Sequence, residues 1–159
     1  MSRITAQDLY NLTRCLHRVY LDANGDPADK TEVSPFVKLL WELGLQTERE
    51  YLASVGDVPV SNLTGLPIEE AVAETLRLMK DGAPLIYQGC LRDGAFVGRP
   101  DLLVKRPDLP SAFGPYSYEP IDIKAGKGWE ERDGKRTTFK KHYAFQVMFY
   151  RYLLSRIQG

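Results

Sequence analysis

The sequence predicts an α+β domain, because segments with helical spacing of apolar residues flank a run of short apolar segments. The short segments are rich in Leu, Ile and Val and are separated by Gly and Pro, which is typical of strands joined by turns. At 159 residues the chain is long enough to bury the core of one domain, and we expect no second domain within it. The predicted order is helices, then a meander of three strands, then a helix.

The composition excludes several classes of protein. The net charge is zero, with 21 basic and 21 acidic residues, so any contact with nucleic acid must come from a local patch. No apolar run approaches the ~18 residues of a membrane span, and the N-terminus lacks the apolar segment of a signal peptide. We therefore expect a cytoplasmic protein with no membrane partner. Cys15 and Cys90 are too few for a disulfide scaffold, and both are expected to be packed thiols.

The first helix is predicted over residues 6–21, and a loop is predicted over residues 22–33. Thr5 can cap this helix while Asp8 reaches back from its third position, which is a variant of the capping box. The apolar face of the helix is formed by residues at helical spacing, namely Leu9, Leu12, Leu16 and Val19.

Two further helices are predicted before the first strand. Ser34 and Pro35 suit the cap and the first turn of a helix that continues to about residue 54. The residues expected to bury this helix are Phe36, Leu39, Leu40 and Leu43. A third helix is predicted over residues 67–80 and ends at Gly82. The inward residues of the third helix are expected to be Ile68, Val72, Leu76 and Met79.

Strands, a basic segment and a last helix complete the chain. The strands are predicted over residues 85–91, 95–104 and 118–124. The segment 125–141 contains six basic residues, three glycines and Trp129, which indicates a flexible basic flap. Such a run is usually only a solvated loop, and Trp129 is more often a packing anchor than a platform for base stacking. The last helix is predicted from about residue 138, with a stripe of Tyr143, Val147, Tyr150, Leu154 and Ile157.

The hairpin formed by the last two predicted strands carries two aspartates and a lysine. If its Pro-rich loop is centred near residues 111 and 112, Asp101 pairs with Asp122 and their Cβ atoms lie about 5 Å apart. Strand alternation places Lys124 on the same face. Two carboxylates this close repel each other, and a divalent cation between them would relieve the repulsion. The alternative is an exposed strand pair with a surface salt bridge, which contributes little to stability.

These motifs resemble those of a known nuclease family. The residues Pro-Asp at 100–101 and Asp-Ile-Lys at 122–124 resemble the PD-(D/E)XK nuclease signature. Gln146 and Tyr150 on the last helix resemble the QxxxY motif of the RecB-like exonuclease branch, which also contains the CRISPR-associated adaptation exonucleases. The resemblance implies a restriction-endonuclease-like domain with a central mixed sheet flanked by helices, alone or as part of a larger protein.

The resemblance also implies roles for the residues of the hairpin. Asp101 and Asp122 would hold Mg²⁺ or Mn²⁺, with the backbone carbonyl of Ile123 as a further ligand. Lys124 would orient or activate the attacking water and would offset charge that builds up on the phosphate. All of these ligand atoms are hard oxygen donors, which suit those ions.

Glu48 corresponds to the acidic helix residue that members of the family place near the metal. From the residues alone, Glu48 lies along or beside the apolar stripe of the second helix, where a carboxylate needs a partner. The alternative is a solvated charge that pairs with Arg49 or Arg77. Relatives often carry a histidine just before this position, and Thr47 stands there instead, which removes a possible metal ligand.

Gln146 and Tyr150 would steady the active-site strand and the DNA backbone, if the resemblance holds. Their alternatives are a boundary residue and a core aromatic residue, respectively. Some members of the branch bind an iron-sulfur cluster through a cysteine near the start and a group of cysteines near the end. No cysteine follows Cys90, so no iron-sulfur cluster is expected.

The sequence therefore predicts a metal-dependent DNA nuclease, a RecB-like exonuclease that acts on single-stranded or frayed DNA in processes such as DNA repair. The resemblance implies that a helicase or a further nuclease domain acts together with this domain. The residues expected to contact nucleic acid are Lys127, Trp129, Arg136, Lys140, Lys141 and His142. One rival is a catalytically silent module of the same fold that binds nucleic acid or a partner protein. A second rival is a structural or assembly protein with no role on nucleic acid.

Overall fold

A computed structural model of the protein describes residues 3–133 and 135–159. The described residues form an α+β fold, as predicted, with five α-helices and a 3₁₀ helix at Pro27–Asp29. The α-helices are α1 (Ala6–Arg14), α2 (Leu16–Asn24), α3 (Pro35–Ser54), α4 (Ile68–Asp81) and α5 (Lys141–Gln158).

Nine short strands form three sheets in the same described residues. The strands are β1 (Ile4–Thr5), β2 (Val60–Asn62), β3 (Leu85–Tyr87), β4 (Leu91–Asp93), β5 (Phe96–Gly98), β6 (Leu102–Arg106), β7 (Ser117–Ile121), β8 (Trp129–Arg132) and β9 (Lys135–Phe139). The central sheet has the order β2-β3-β6-β7 and is mixed, since β2 runs parallel to β3 while the other pairs are antiparallel. A second sheet has the order β1-β5-β4, and β8 pairs with β9 alone.

The central sheet brings the two aspartates to adjacent strand ends. Strands β6 and β7 pair Leu102 with Ile121, and the next residues in the same register are Asp101 and Asp122. This register is the one expected from a loop centred near residues 111 and 112, so the predicted hairpin register is confirmed. The two aspartates therefore lie at the open end of the hairpin, opposite its loop, and this end is the candidate site.

The core lies between one face of the central sheet and helices α4 and α5. Its fully buried members include Met79, Ile86, Leu103, Tyr118, Leu153 and Leu154. Near the end of α5, the Gln158 side chain accepts a hydrogen bond from the Tyr118 backbone N–H (2.8 Å) and donates one to the Tyr118 carbonyl (3.0 Å). Both residues are buried, so this clamp is shielded from water and holds α5 against β7.

The opposite face of the central sheet is covered only loosely. The C-terminal half of α3 lies over it and leaves an apolar hollow of about 510 Å³. The hollow is lined by Tyr51 and Val55 of α3 and by Leu85, Leu102 and Val104 of the sheet, among others. Since Leu103 and Ile86 point to the core, strand alternation requires these sheet residues to point the other way.

The prediction of one helix over residues 6–21 is wrong, because the chain bends at Cys15. Cys15 has an extended backbone (φ −162°), so α1 ends before it and α2 continues into the predicted loop. The bend lets the Asn11 side chain donate a hydrogen bond to Asp22 at 3.3 Å, whereas these residues would lie about 16 Å apart along a straight helix. Cys15 is exposed, contrary to the expected packed thiol, and Cys90 is buried as expected.

Helix α3 has its predicted bounds, but its predicted buried face is wrong. Phe36 is 67% exposed and Leu39 is 59% exposed, and no residue of α3 is buried. Periodicity identifies an apolar face but not what lies opposite that face. Here part of the face, including Leu40 and Leu43, lines a cleft.

The remaining helices lie within a few residues of their predicted positions. The capping box of Thr5 and Asp8 forms before α1, and Gly82 ends α4 in the left-handed conformation (φ 73°), as predicted. Leu76 is exposed, contrary to the expected stripe of α4, whose buried residues are Ala71, Thr75 and Met79. Helix α5 starts at Lys141 because the residues before it form β9.

The predicted meander of three strands is wrong. The predicted strand 85–91 is interrupted at Gln88, whose positive φ of 56° turns the chain between β3 and β4. The predicted strand 95–104 is split near Pro100, which has no N–H for strand pairing, so β5 and β6 belong to different sheets. The predicted flap over residues 125–141 contains the paired strands β8 and β9.

Candidate active site

The two aspartates at the ends of β6 and β7 are enclosed by the protein. The Asp122 side chain is only 5% exposed. Asp101 is half-buried, and its Oδ2 accepts a hydrogen bond of 2.6 Å from the Ile123 backbone N–H. The alternative of an exposed strand pair with a surface salt bridge is therefore wrong for Asp122.

Lys124 lies beside this pair, with its Nζ 2.7 Å from Asp122 Oδ2. That distance makes an ion pair, yet no donor in residues 3–133 and 135–159 meets hydrogen-bond geometry at the same oxygen. The contact is close but poorly aligned, so we interpret it as charge attraction without a directed hydrogen bond. The Lys124 side chain is 30% exposed, which leaves its ammonium group reachable from solvent.

The electrostatics of the pair disfavour two negative charges. Burial, followed by the negative charge of Asp122, raises the pKa of Asp101 to about 7. The hydrogen bond from Ile123 opposes this rise but does not cancel it. A cation held between the two carboxylates would favour the ionised form of both.

Glu48 of α3 lies at the same end of the sheet. Its Oε2 accepts a hydrogen bond of 2.8 Å from the Tyr87 hydroxyl. Burial and this contact raise the pKa of Tyr87 to about 12, so the hydroxyl stays protonated and keeps donating. The alternative pairing with Arg77 is wrong, because Arg77 binds Glu74 and Asp81 on its own helix.

Gln88 is a site residue that the sequence did not indicate. Its Nε2 lies 3.4 Å from Glu48 Oε2 and 3.3 Å from Asp101 Oδ1, and it therefore bridges the two carboxylates. Its backbone N–H donates to the Asp101 carbonyl at 2.9 Å. The only local signal is a polar residue followed by Gly89 at the end of an apolar strand. The positive φ that aims this side chain at the site is a product of the fold.

Helix α5 brings Gln146 and Tyr150, one turn apart, to the same site. Both residues are buried. Burial, and then the charges of Asp122 and Asp101, raise the pKa of Tyr150, so its hydroxyl stays neutral near the aspartates. Gln146 Oε1 is buried and has no hydrogen-bond partner among the described residues.

The donor set at these strand ends fits a hard divalent cation. Within the described residues, no group of three or more His, Cys, Asp and Glu side chains converges as a metal cluster. The oxygens that would hold a metal are those of Asp101, Asp122 and the Ile123 carbonyl, and Glu48, which was expected near the metal, accepts hydrogen bonds from Tyr87 and Gln88. The buried oxygens without hydrogen-bond partners, Asp122 Oδ2 and Gln146 Oε1, are the observation that supports this fit.

A cleft of about 1210 Å³ opens onto the site. Glu48, Ile123, Lys124 and Gln146 line the end of the cleft next to the two aspartates, which we call its inner end. One wall is the N-terminal half of α3, and the facing wall is built from α1, α2 and Lys30, which follows the 3₁₀ helix. The cleft thus leads from the surface to the ion pair of Lys124 and Asp122.

The residues expected to contact nucleic acid lie on the β8–β9 hairpin and at the start of α5, outside the cleft lining. Trp129 packs edge-on against Phe139, with 5.3 Å between the ring centroids, which agrees with a packing anchor. Lys127 Nζ lies 2.8 Å from Glu131. Arg136 and Lys141 are exposed.

Two of these residues approach the cleft through Tyr143, which lines it. Lys140 Nζ lies 5.3 Å from the centre of the Tyr143 ring. His142 packs between Tyr10 and Tyr143, with ring centroids 4.9 Å and 4.5 Å away. Burial and the nearby Arg14 lower the pKa of His142, so it is neutral at pH 7 and contributes packing instead of charge.

The chain matches no protein-family model, and comparison with curated proteins and with solved structures found no significant match. Its function is therefore inferred from the residues and the geometry described above. Among the described residues, no helix combines the length and the apolar character needed to cross a membrane.

Proposed function

We propose that this protein is a metal-dependent nuclease that hydrolyses phosphodiester bonds of DNA, in the manner of RecB-like exonucleases. The observation that carries the proposal is the pair of Asp101 and Asp122 at adjacent strand ends, with Asp122 buried and Lys124 Nζ 2.7 Å from it, beside a large cleft that Ile123 and Lys124 line. Paired carboxylates with an adjacent lysine are suited to hydrolysis at a phosphate, because the oxygens hold a cation and the ammonium offsets developing charge.

The carboxylates of Asp101 and Asp122 and the carbonyl of Ile123 would hold Mg²⁺ or Mn²⁺. When bound, the ion supplies a water of lowered pKa and polarises a phosphate oxygen. In hydrolysis the oxygen of a water joins phosphorus as the bond from phosphorus to the leaving sugar oxygen breaks, and the proton that the water loses is replaced on the leaving oxygen by one from solvent. Lys124 would orient the water or donate to a phosphate oxygen, since its ammonium lies at the cleft surface.

The surrounding residues have positioning roles in this proposal. Gln88 links Glu48 to Asp101 and so ties α3 to the metal-binding strand. Tyr87 donates to the same Oε2 of Glu48 and so helps to fix the carboxylate. Gln146 would turn its buried amide oxygen toward the metal or its water, and Tyr150 would pack beneath the aspartates.

The test is cleavage of labelled DNA with the Asp122→Asn and Lys124→Ala variants. We expect wild-type protein to degrade DNA in Mg²⁺ or Mn²⁺ and to stop in EDTA. Each variant should lose at least about 100-fold in rate, since each removes charge that acts in the transition state. Asp108→Asn and Lys80→Ala are matched controls, because these exposed residues lie away from the cleft and should keep full activity.

Substrates labelled at the 5′ or the 3′ end, as single strands, duplexes and frayed duplexes, would give polarity and strand preference. Equal activity in wild type and in both site variants would contradict the proposal. DNA binding without cleavage under any of these metal conditions would instead favour the catalytically silent binding module of the same fold.

A further inference from the structure

We propose that a single-stranded nucleic acid binds along the α3 wall of the cleft, with one base stacked on Trp41 and the strand closest to the helix at Gly44. We call this wall the track. This inference rests on the proposed function for the identity of the inner end of the cleft. It assigns a substrate-positioning role to residues of α3 that lie outside the carboxylate, lysine and glutamine motifs.

The residues of this wall follow one face of the helix. Trp41, Gly44 and Glu48 are separated by three and four positions, so they lie above one another on the cleft side of α3. Seven residues of helix span about 10 Å, which is close to the length of three stacked nucleotides at about 3.4 Å each. A base on Trp41 would therefore lie a few nucleotides from a phosphate at the site.

Trp41 is a large aromatic side chain presented to the cleft. It is 59% exposed, and no aromatic ring stacks against it in the described part of the chain. Trp129, by contrast, already packs on Phe139. An exposed indole in a cleft is suited to base stacking, which depends little on sequence because every base has a π face.

Gly44 is not explained by packing of the fold. Glycine within a helix is unfavourable relative to alanine, and a Cβ at this position would meet nothing within 4 Å. The fold itself could therefore accept a side chain there. Because the glycine has no side chain, the helix backbone is uncovered between Trp41 and Glu48, and a ligand can approach it closely there.

The exposed basic side chains of the facing wall are the groups that a phosphate would meet. Arg18 and Lys30 both contact Asp22, at 3.6 Å and 2.8 Å, so this cluster has two positive charges and one negative charge. Both basic side chains are more than half exposed. Lys124 adds a further positive charge at the inner end. Asp8, Asp22 and Glu48 also line the cleft, so its three basic and three acidic side chains balance. The acids have partners within the protein, such as Thr5 for Asp8 and Tyr87 for Glu48, whereas the ends of Arg18 and Lys30 are exposed and can meet the phosphates of a strand.

The size of the cleft agrees with an oligomeric ligand. Its volume of about 1210 Å³ exceeds the range of about 300–1,000 Å³ that is usual for small-molecule sites. A second hollow in the described residues has about 510 Å³ and lies against the sheet, and no carboxylate lines it.

The experiment measures binding of a fluorescently labelled single strand in EDTA, so that cleavage plays no part. The variants are Trp41→Ala and Trp41→Phe, with Phe36→Ala as the matched control. Phe36 is an aromatic residue of the same helix that is 67% exposed and does not line the cleft. Each variant is tested on a normal strand and on an abasic strand of the same length and charge.

We expect Trp41→Ala to weaken binding of the normal strand about 5- to 100-fold. Binding of the abasic strand should stay within about 2-fold, because no base is present to stack. Trp41→Phe should restore most of the affinity, and Phe36→Ala should leave both strands unaffected. Equal losses on normal and abasic strands, no loss in Trp41→Ala, or no binding by the wild type would each overturn the inference.

Gly44 gives an independent arm of the same test. Gly44→Ala should raise the melting temperature, since alanine is the better helix residue, and should still weaken strand binding. Gly44→Leu should weaken binding further, because the leucine side chain would cover the helix backbone at that point of the wall. Unchanged affinity in both variants would overturn the role of Gly44.

The outcomes also separate this inference from the proposed nuclease function. Cleavage by wild type without base-dependent loss in Trp41→Ala would leave the nuclease standing and overturn the track. Base-dependent loss in a protein that never cleaves would leave the track standing and overturn the nuclease.

Discussion

We expect the carboxyl group of Asp101 to make the stability of the metal-free protein depend on pH. Its pKa in the folded state is raised to about 7 by burial and by Asp122. An aspartate in an unfolded chain titrates near a pKa of about 3.9. The folded state therefore holds a proton more tightly than the unfolded state, and this contribution to stability is complete at low pH.

As the pH rises from about 4 to about 7, Asp101 should ionise at a cost, and metal-free protein should lose stability. Asp101→Asn is neutral at every pH and can still accept the hydrogen bond from Ile123. At pH 8 the variant should therefore be more stable than wild type by about 1–3 kcal/mol, and at pH 4 the two should be similar. Urea unfolding in EDTA at both pH values measures the difference.

The exposed Asp108→Asn serves as the control and should show no such gain at pH 8. A large loss of stability in Asp101→Asn at pH 8 would show that the ionised aspartate is structural. An equal gain in both variants would mean that general charge reduction, and not the carboxylate pair, is responsible.

Helix α5 holds its residues of the site in place through hydrogen bonds at the C-terminal end of the helix. Gln146 lies in the first half of the helix and Tyr150 just past its middle, whereas the Gln158 clamp on Tyr118 lies at its last residue. Because the clamp joins α5 to β7, it fixes the helix relative to the strand that leads to Asp122. The hydrogen bonds at one end of the element therefore support the geometry at the other end.

Gln158→Ala should destabilise the protein by about 1–3 kcal/mol, because it leaves the buried N–H and carbonyl of Tyr118 without partners. Chemical denaturation at pH 7 measures the change. Gln46→Ala is the matched control, since its amide bonds only to exposed Glu50 and should change stability by less than about 0.5 kcal/mol. Similar effects of the two substitutions would show that the clamp is not a determinant of stability.

The elements also show why prediction from sequence succeeded in some places and failed in others. The register of β6 and β7 was predictable, since the two strands follow one another in the chain and centring their loop near residues 111 and 112 sets the pairing. The bend at Cys15 and the turn at Gln88 were not predictable, because both depend on contacts with distant residues, such as Asp22 and Glu48. The exposed face of α3 was predicted as buried, since its periodicity is the same in either case.

At the scale of the whole molecule, the site joins three parts of the chain that are far apart in sequence. Helix α3 supplies Glu48, the β6–β7 hairpin supplies the aspartates and Lys124, and α5 supplies Gln146. A cation at the junction would stabilise all three against unfolding, because the unfolded chain has no such arrangement of oxygens.

Mn²⁺ or Mg²⁺ should therefore raise the melting temperature of wild-type protein, and EDTA should reverse the rise. At a metal concentration 100 times the dissociation constant, the gain is about 2.7 kcal/mol. Asp122→Asn should lose most of this gain, whereas Asp108→Asn should keep it. A thermal shift titration checks the prediction, and equal shifts in both variants would place the metal elsewhere.

The α+β class and the bounds of α3 follow from local patterns in the sequence, and so does the strand register that brings Asp101 and Asp122 to adjacent strand ends, once the loop is centred near residues 111 and 112. These features depend on local periodicity, turn residues and strand alternation, which act over a few residues. The contacts of Gln88 with Glu48 and Asp101, the enclosure of Asp122 and the cleft beside α3 arise only when the chain is folded. Those features depend on which elements meet in space, because burial and desolvation are set by neighbours distant in the chain.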